Sequence, residues 1–306
     1  MKKVLVATEK PFASAAVDGI RQVIENAGYE LILLEKYTDK ADLLKAVEDV
    51  DGLIIRSDKV DADVLNAARN LKIVVRAGAG YDNIDLAAAT QHGVVAENTP
   101  GQNSNAVAEL VFGMTVMAAR NMYAGTSGFE LKGKHLGIQA FGQVGRNVAR
   151  IAKGFGMEIE ALDPYCPDEA IEAAGVKPVH SIEELYKNNL FVSIHIPATK
   201  ETVGSIGFDL ITLMPKGGVL INTARKEVID QDGLARALEA RPDLKYVADV
   251  KPDNAAELSE RFAGRVFFTP KKMGAQTAEA NINAGIAAAN QVVAFLRDGV
   301  DRFRVN

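Results

Sequence analysis

The chain has 306 residues, of which 48% are hydrophobic and 25% are charged, and its formal net charge is −5 at pH 7. This balance is typical of a globular protein with room for two domains, and it argues against nucleic acid or an anionic membrane as the main partner. One cysteine, Cys166, allows no intramolecular disulfide and no cysteine metal site. The apolar stretch at residues 4–7 is too short for a signal peptide, and no run reaches membrane-spanning length, so we expect a cytoplasmic protein.

Short apolar runs alternate with helix-length amphipathic segments along almost the whole chain. Parallel strands need crossover connections of this kind, so the pattern predicts the α/β class. The first set of runs lies at residues 4–7, 31–34, 52–55, 73–75 and 94–95, and the second at 136–140, 158–162, 190–196, 218–221, 246–250 and 266–268.

A glycine-containing pause at residues 121–134 separates the two sets of runs. We therefore predict two doubly wound parallel-sheet (Rossmann-like) lobes, joined by linking helices near residues 103–122 and 277–299. The first lobe should comprise residues 1–98 with 285–306, and the second should comprise residues 99–284.

Residues 136–145 read Leu-Gly-Ile-Gln-Ala-Phe-Gly-Gln-Val-Gly, which predicts a strand, a tight turn and a helix start. The pattern is G-x-G-x-x-G with Ala140 at the first glycine position, followed by Gly142 and Gly145. The second glycine lets a pyrophosphate approach the backbone, and the third lets helix and strand pack closely. The helix opening with Gln143 and Val144 would present N–H groups to the phosphates. The methyl group of Ala140 should weaken nucleotide binding without abolishing it.

An acid at the end of the next predicted strand gives the glycine turn its context. Asp163 lies 21 residues beyond Gly142, the spacing at which a carboxylate binds ribose hydroxyls. A carboxylate there repels a 2′-phosphate, so the unit favours NAD over NADP. The alternative interpretation is an ordinary packing turn with a capping aspartate.

Four further stretches, in order, resemble signatures of the D-isomer-specific 2-hydroxyacid dehydrogenases. They read Val-Arg-Ala-Gly-Ala-Gly-Tyr-Asp-Asn-Ile-Asp at 75–85, Asn-Thr-Pro-Gly-Gln-Asn-Ser-Asn-Ala-Val-Ala-Glu at 98–109, Ser-Ile-His-Ile-Pro at 193–197 and Ile-Asn-Thr-Ala-Arg at 221–225. The resemblance covers nearly the whole chain. It implies an enzyme that transfers a hydride from C2 of a small hydroxy acid to NAD.

The resemblance also assigns roles to individual residues. Arg225 would grip the substrate carboxylate and polarise the C2 oxygen, which a planar cation does well. A nest of backbone amides would hold the carboxylate, and it is formed by Ala77, Gly78, Ala79 and Gly80. His195 would reach the cofactor from a strand end, although a packed histidine is an equally good interpretation. The further cofactor contacts that the resemblance implies are Ser104, Pro197, Thr223, Ala224 and Asp249.

The catalytic base is where the sequence departs from the family pattern. The family has a histidine before its last glycine turn, whereas this chain reads Thr-Pro-Lys-Lys-Met-Gly-Ala-Gln-Thr at 269–277. Lys272 takes the histidine position when the motif is aligned from the glycine, and Lys271 takes it when aligned from the proline; we prefer Lys272. Partial burial and neighbouring cations would lower the lysine pKa enough for it to accept a proton. The resemblance also implies a helper carboxylate that partners this histidine. That carboxylate has no clear counterpart in this chain, and Asp253 is the nearest choice. The alternative is a pair of solvated lysines in an inactive relative.

Arg56 and Ser57 follow the apolar run at 52–55, and such a pair suits a phosphate group. Two polar residues at a strand end are an equally good interpretation. With a phosphate, the expected reaction is oxidation of 3-phosphoglycerate to 3-phosphohydroxypyruvate, the entry to serine synthesis. The expected partners are this small phosphorylated acid and a second copy in a homodimer, with no nucleic acid, membrane or metal.

Two other functions stay open from the sequence. One is a different 2-hydroxyacid dehydrogenase, acting on phosphoerythronate, glycerate or glyoxylate, because the shape of the side pocket cannot be read from the chain. The other is a non-catalytic, NAD-sensing corepressor-like relative, because the missing histidine could mark a loss of catalysis. The retained arginine and the replacement amine favour the enzyme.

Overall fold

The computed structural model describes all 306 residues. The chain forms two compact units, Met1–Asn103 with Gln276–Asn306, and Ser104–Ala275. The predicted lobes, 1–98 with 285–306 and 99–284, place the first boundary five residues earlier and the second boundary nine residues later than these units do. The units change at helix starts, because the helix that begins at Ser104 packs within the second unit and the helix that begins at Ala278 packs within the first. None of the helices is long and apolar enough to cross a membrane.

The first unit is built on a five-stranded parallel sheet. Its strands are β1 (Lys3–Thr8), β2 (Glu30–Glu35), β3 (Gly52–Ile55), β4 (Ile73–Arg76) and β5 (Val95–Asn98), in the order β2-β1-β3-β4-β5. Its helices are α1 (Ser14–Asn26), α2 (Lys40–Ala46), α3 (Ala62–Ala67), α4 (Leu86–Gln91) and, from the end of the chain, α12 (Ala278–Asp298).

Local chemistry explains where these helices start and what they bury. Asp39, Asp61 and Asp85 each accept a backbone N–H in the first turn of α2, α3 and α4, which satisfies a donor that the helix itself cannot pair. The apolar stripe of α12 packs on α1, β3 and β4. Gly299 ends α12 in the left-handed conformation, with φ of +71°, where glycine has no Cβ to strain.

The second unit is built on a seven-stranded parallel sheet in the order β12-β11-β10-β9-β6-β7-β8. The strands are β6 (His135–Gln139), β7 (Glu158–Leu162), β8 (Lys177–Pro178), β9 (Phe191–Ile194), β10 (Val219–Asn222), β11 (Lys245–Ala248) and β12 (Val266–Phe268). The helices are α5 (Ser104–Ala119), α6 (Gln143–Gly154), α7 (Asp168–Ala173), α8 (Ile182–Asn188), α9 (Phe208–Leu213), α10 (Gln231–Ala240) and α11 (Ala255–Arg261).

The predicted fold class is confirmed: both sheets are wholly parallel and helices connect their strands. Each of the eleven predicted apolar runs overlaps a strand, and only the two-residue β8 was not predicted. In a parallel sheet the loops after the carboxyl ends of the strands lie along one edge, where ligands bind in folds of this kind. The residues proposed above for binding and catalysis follow those carboxyl ends.

Candidate active site

The turn between β6 and α6 has the geometry of a phosphate-binding turn. Ala140 takes φ of +79°, a left-handed conformation in which an L side chain is strained and a glycine is not. A Cβ on Gly145 would overlap the carbonyl oxygen of Ala140, so the helix can pass this close to the turn only with glycine there. A Cβ on Gly142 would meet nothing within 4 Å. The backbone is therefore open at the position where a pyrophosphate would approach.

The start of α6 fits an anionic ligand. Gly142 is the N-cap residue and its helix has no side-chain cap, so the first amides of the helix, including those of exposed Gln143 and half-buried Val144, keep their donors for a ligand. Ser104, at the start of α5, is buried and accepts a 3.0 Å hydrogen bond from Asn147 of α6. This bond ties the two helix starts together beside the turn.

Asp163 lies against the same turn. One carboxylate oxygen accepts the amide of Phe141 at 2.7 Å, and the other accepts the amide of Tyr165 at 2.9 Å. Each oxygen keeps a further lone pair, so hydroxyl groups can still donate to it. The 21-residue spacing in the sequence thus corresponds to direct contact between the acid and the turn.

The segment after β10 is shaped by a buried asparagine. The Asn222 side chain accepts the amide of Ala224 at 2.9 Å and donates to the carbonyl of Arg225 at 2.9 Å. Between them the hydroxyl of Thr223 is buried and has no hydrogen-bond partner in the protein, so it could still bond to a molecule bound at this turn. Arg225 is half-buried and forms no ion pair, and its guanidinium makes one hydrogen bond, to the carbonyl of Ala224. Most of the guanidinium donors are therefore available to a ligand.

Asp249, after β11, anchors the turn that carries the two lysines. It is buried and accepts hydrogen bonds from the hydroxyl of Thr269 at 2.8 Å and from the amides of Met273 and Gly274 at 2.6 and 2.7 Å. Its carboxylate thus holds both sides of the turn, and any contact that it makes with a cofactor would be additional to these three bonds.

Lys271 and Lys272 are both exposed, so the expected partial burial of the base is not found. The turn places them beyond the buried anchor, where the backbone leaves the sheet edge. Asp253, the candidate helper carboxylate, is also exposed and forms an ion pair with Lys226. That pairing occupies Asp253 with a surface cation and gives no support to a role beside the base.

His195 follows β9 and its imidazole is held within the protein. Its Nε2 lies 2.9 Å from the hydroxyl of buried Ser193. Dense packing around the ring lowers the pKa of His195 to about 3, so the side chain is neutral at physiological pH. Of the two interpretations offered by the sequence, the packed one describes the imidazole itself. Pro197, two residues on, is exposed.

In the first unit, only half of the predicted amide nest is available. The amide of Ala77 donates to Ile55, which extends the sheet pairing, and the amide of Gly78 donates to the carbonyl of Arg76. The amides of Ala79 and Gly80 have no acceptor in the protein. Gly78 takes φ of +151°, and a Cβ there would collide with the guanidinium of Arg76. The nest therefore offers two donors, with an arginine packed beside them that the sequence interpretation overlooked.

Arg56 is engaged in the protein more than the sequence suggested. Its Nη1 donates to the carbonyls of Lys10 and Pro11 at 3.2 and 3.1 Å, and its Nη2 donates to Asn281 at 2.7 Å. These bonds leave Nε and one Nη2 proton for a ligand. Ser57 beside it is exposed.

Asp58, also overlooked, fixes the backbone around this pair. The buried carboxylate accepts the amides of Glu9 and Arg56 and the hydroxyl of Tyr37. It draws together the segments that follow β1 and β3. The only feature of the sequence that could have indicated this role is the position of Asp58 directly after Arg56 and Ser57, because an acid there can accept the backbone amides of the turn that follows β3.

Known proteins resemble this chain over nearly its whole length. Residues 105–270 match the model of the D-isomer specific 2-hydroxyacid dehydrogenase NAD binding domain. A D-3-phosphoglycerate dehydrogenase from Methanocaldococcus jannaschii is 38% identical over 273 residues, which cover 84% of this chain and 52% of that protein. A hydroxypyruvate reductase from Thermotoga maritima is 34% identical over 281 residues, which cover 86% of this chain and 90% of that protein.

A crystal structure of NAD⁺-bound 3-phosphoglycerate dehydrogenase from Entamoeba histolytica is also similar. It is 48% identical, with a TM-score of 0.88, and the match covers 100% of this chain and 98% of that one. The chain spans about half the length of several curated relatives that it matches. The predictions of the family and of NAD as its cofactor are confirmed, whereas the cytoplasmic location stays a prediction. The chain belongs to the D-isomer specific 2-hydroxyacid dehydrogenase family and carries its NAD-binding domain.

Proposed function

We propose that the chain oxidises D-3-phosphoglycerate to 3-phosphohydroxypyruvate with NAD as the hydride acceptor. The observation that carries this proposal is the pair of anchored turns after β10 and β12. Buried Asn222 presents Arg225 without an ion-pair partner, and buried Asp249 holds the turn that carries Lys271 and Lys272. A carboxylate-binding cation and an amine are the two groups that the oxidation of a 2-hydroxy acid needs.

The division of roles follows from these positions. The amides at the start of α6 and the carboxylate of Asp163 would hold the cofactor, which accepts the hydride from C2. Arg225 would bind the substrate carboxylate through its uncommitted donors and polarise the C2 oxygen. Lys272, in its neutral form, would take the proton from the C2 hydroxyl. The amides of Ala79 and Gly80 would bind the substrate carboxylate as well.

The phosphate end would be bound by Ser57 and by the remaining donors of Arg56. The phosphate assignment needs a direct test, because the similar proteins include both a D-3-phosphoglycerate dehydrogenase and a hydroxypyruvate reductase. We expect kcat/KM for 3-phosphoglycerate to be at least tenfold higher than for glycerate, lactate and 4-phosphoerythronate. A tenfold ratio corresponds to a difference of about 1.4 kcal/mol in activation free energy. Ser57→Ala should narrow the gap between 3-phosphoglycerate and glycerate. Equal turnover of glycerate would contradict the phosphate assignment.

The lysine base is tested by two matched variants. Lys272→Ala should lower kcat for NADH formation by about 10² to 10⁴, the usual contribution of a general base, while Lys271→Ala should keep most of the activity. NADH binding, measured by fluorescence, should be unchanged in both variants. Full activity in both single variants would refute the lysine mechanism.

We also propose a homodimer. The segment between α5 and β6 leaves Tyr123 with 65% of its surface exposed, and an exposed aromatic side chain of this size suits a protein contact. Light scattering after size-exclusion chromatography should give twice the chain mass of 32.8 kDa. A monomer at micromolar concentration would contradict the proposal.

A further inference from the structure

The second unit contains a cavity of about 450 Å³ at the amino ends of β10, β11 and β12. The proposed cofactor and catalytic residues follow the carboxyl ends of the same strands, so the cavity lies at the opposite edge of this sheet. No role in the proposed reaction involves it. Its lining residues include Phe129, Gly217, Asp243, Lys245, Gly264 and Arg265.

Two cations belong to this lining. Tyr246 pairs in register with Val266, so Lys245 and Arg265, which directly precede these residues, lie at the amino ends of neighbouring strands. Their charged ends turn to different helices, that of Lys245 to the end of α5 and that of Arg265 to the end of α10. Both side chains are partly buried, and neither forms an ion pair with a carboxylate. Burial lowers the pKa of both groups, and the charge of Asp243 partly opposes this effect for Arg265. Their charges have therefore lost part of their hydration, and neither is in direct contact with a carboxylate.

The hydrogen bonds that these cations make leave donors unused. Lys245 donates to the carbonyl of Ala118 and to the Asn121 side chain, both at 2.7 Å, so one ammonium proton remains. Nη1 of Arg265 donates to the carbonyls of Leu238 and Arg241. Its Nε and Nη2 groups, with three protons, have no acceptor. Each cation therefore serves the end of a helix with some of its donors, and four N–H donors remain in total.

The one acid in the lining is already neutralised. Asp243 forms a two-point salt bridge with Arg241, with distances of 2.9 and 2.8 Å, and accepts the amide of Gly217 at 2.8 Å. The Arg241 guanidinium beside Asp243 holds the pKa of that carboxyl well below its usual range. The cavity consequently keeps the two positive charges of Lys245 and Arg265.

We propose that this cavity binds a small anion of the phosphate class, either inorganic phosphate or a phosphate ester. The two positive charges in one lining match the charge of such an anion, and its several oxygens can accept hydrogen bonds from the four remaining donors. The cavity is larger than a phosphate ion, and Phe129, Ala124 and Pro242 line it with apolar surface for an organic group. The site is separate from the proposed catalytic residues, and its binding does not depend on the proposed reaction.

The proposal is tested by direct binding, with activity left out of the readout. Inorganic phosphate and glycerol 2-phosphate are titrated into the protein at constant ionic strength, against chloride, and heats of binding are measured by calorimetry. We expect saturable binding to the wild type, and we expect the double variant Lys245→Gln, Arg265→Gln to bind at least about tenfold more weakly, because charge-assisted bonds are lost while an amide donor stays for each helix end. Lys216→Gln, on an exposed side chain outside the lining, is the matched control and should bind as the wild type does.

A second measurement does not rely on the variants. In the wild type, phosphate should shift the NMR signals of the Gly217 and Gly264 amides, which line the cavity. Tighter binding of the ester would identify an ester as the occupant, and tighter binding of phosphate would identify the free ion. Equal binding by the double variant, or shifts confined to other residues, would overturn the proposal. A double variant that changes oligomeric state while phosphate binds nowhere near the cavity would overturn it in favour of a partner subunit.

Discussion

Ala140 is the position at which one methyl group should cost the protein stability. It takes φ of +79°, and a left-handed conformation costs an L residue about 1–2 kcal/mol that glycine does not pay. Glycine also gives the unfolded chain more freedom, which offsets about 0.4–1 kcal/mol of the gain. Ala140→Gly should therefore raise the free energy of unfolding by about 0.5–1 kcal/mol.

The measurement is a urea titration followed by far-UV circular dichroism, with the slope m compared as well as the midpoint. Ala235→Gly is the matched control: Ala235 lies inside α10 with ordinary helical geometry, so the same substitution there should lower stability by about 1 kcal/mol. NADH titrations of both variants show whether relief at the turn also improves binding, which we expect to change by a few-fold at most. If Ala140→Gly loses as much stability as Ala235→Gly, the turn is not strained and the reasoning fails.

Three further perturbations address the proposed cofactor-binding acid, the proposed base and the buried histidine. Asp163→Ala should weaken NADH binding about tenfold or more, since hydrogen bonds to a charged group are lost. It should also reduce the preference of the protein for NADH over NADPH. Fluorescence titrations with both nucleotides measure these two effects, and Asp168→Ala is the control. Lys272→His should move the rising limb of the pH profile of kcat/KM to lower pH, because imidazole has a lower ordinary pKa than an amine. An unmoved limb would argue against a base at this position. For His195, the pKa of about 3 in the folded state lies below its unfolded value of about 6.5. The free energy of unfolding should therefore fall as the pH drops below about 6.5, by about 1–2 kcal/mol between pH 7 and pH 5. His195→Gln should remove that part of the acid sensitivity in urea titrations at the two pH values.

The strands were predictable because a strand buried on both faces leaves a continuous apolar run. β10 (Val219–Asn222) and β11 (Lys245–Ala248) each contain such a run, and both strands were predicted. β8 (Lys177–Pro178) was not, because two residues, one of them a proline, carry no periodic signal. The nucleotide turn was also predictable, since its chemistry lies within one short stretch of chain.

What escaped the sequence were contacts between distant parts of the chain. Arg56 looked available for a ligand because nothing in its neighbourhood in the sequence reveals the carbonyl of Pro11 or the side chain of Asn281, which lies 225 positions away. The nest at residues 77–80 looked complete for the same reason: the acceptor of the Ala77 amide is Ile55 on the neighbouring strand. Local patterns specify elements well, whereas the use of each donor depends on tertiary structure.

The anchored turn after β12 is compatible with the proposal that a lysine serves as the base. Asp249 holds this turn through the amides of Met273 and Gly274 and the hydroxyl of Thr269. Two of those three donors belong to the backbone, and none belongs to the side chain of Lys271 or Lys272. The conformation of the turn therefore does not depend on which basic residue it presents. A change of proton acceptor can occur without rebuilding the scaffold, provided that the new side chain reaches the same hydroxyl group and works at a pH that leaves it neutral.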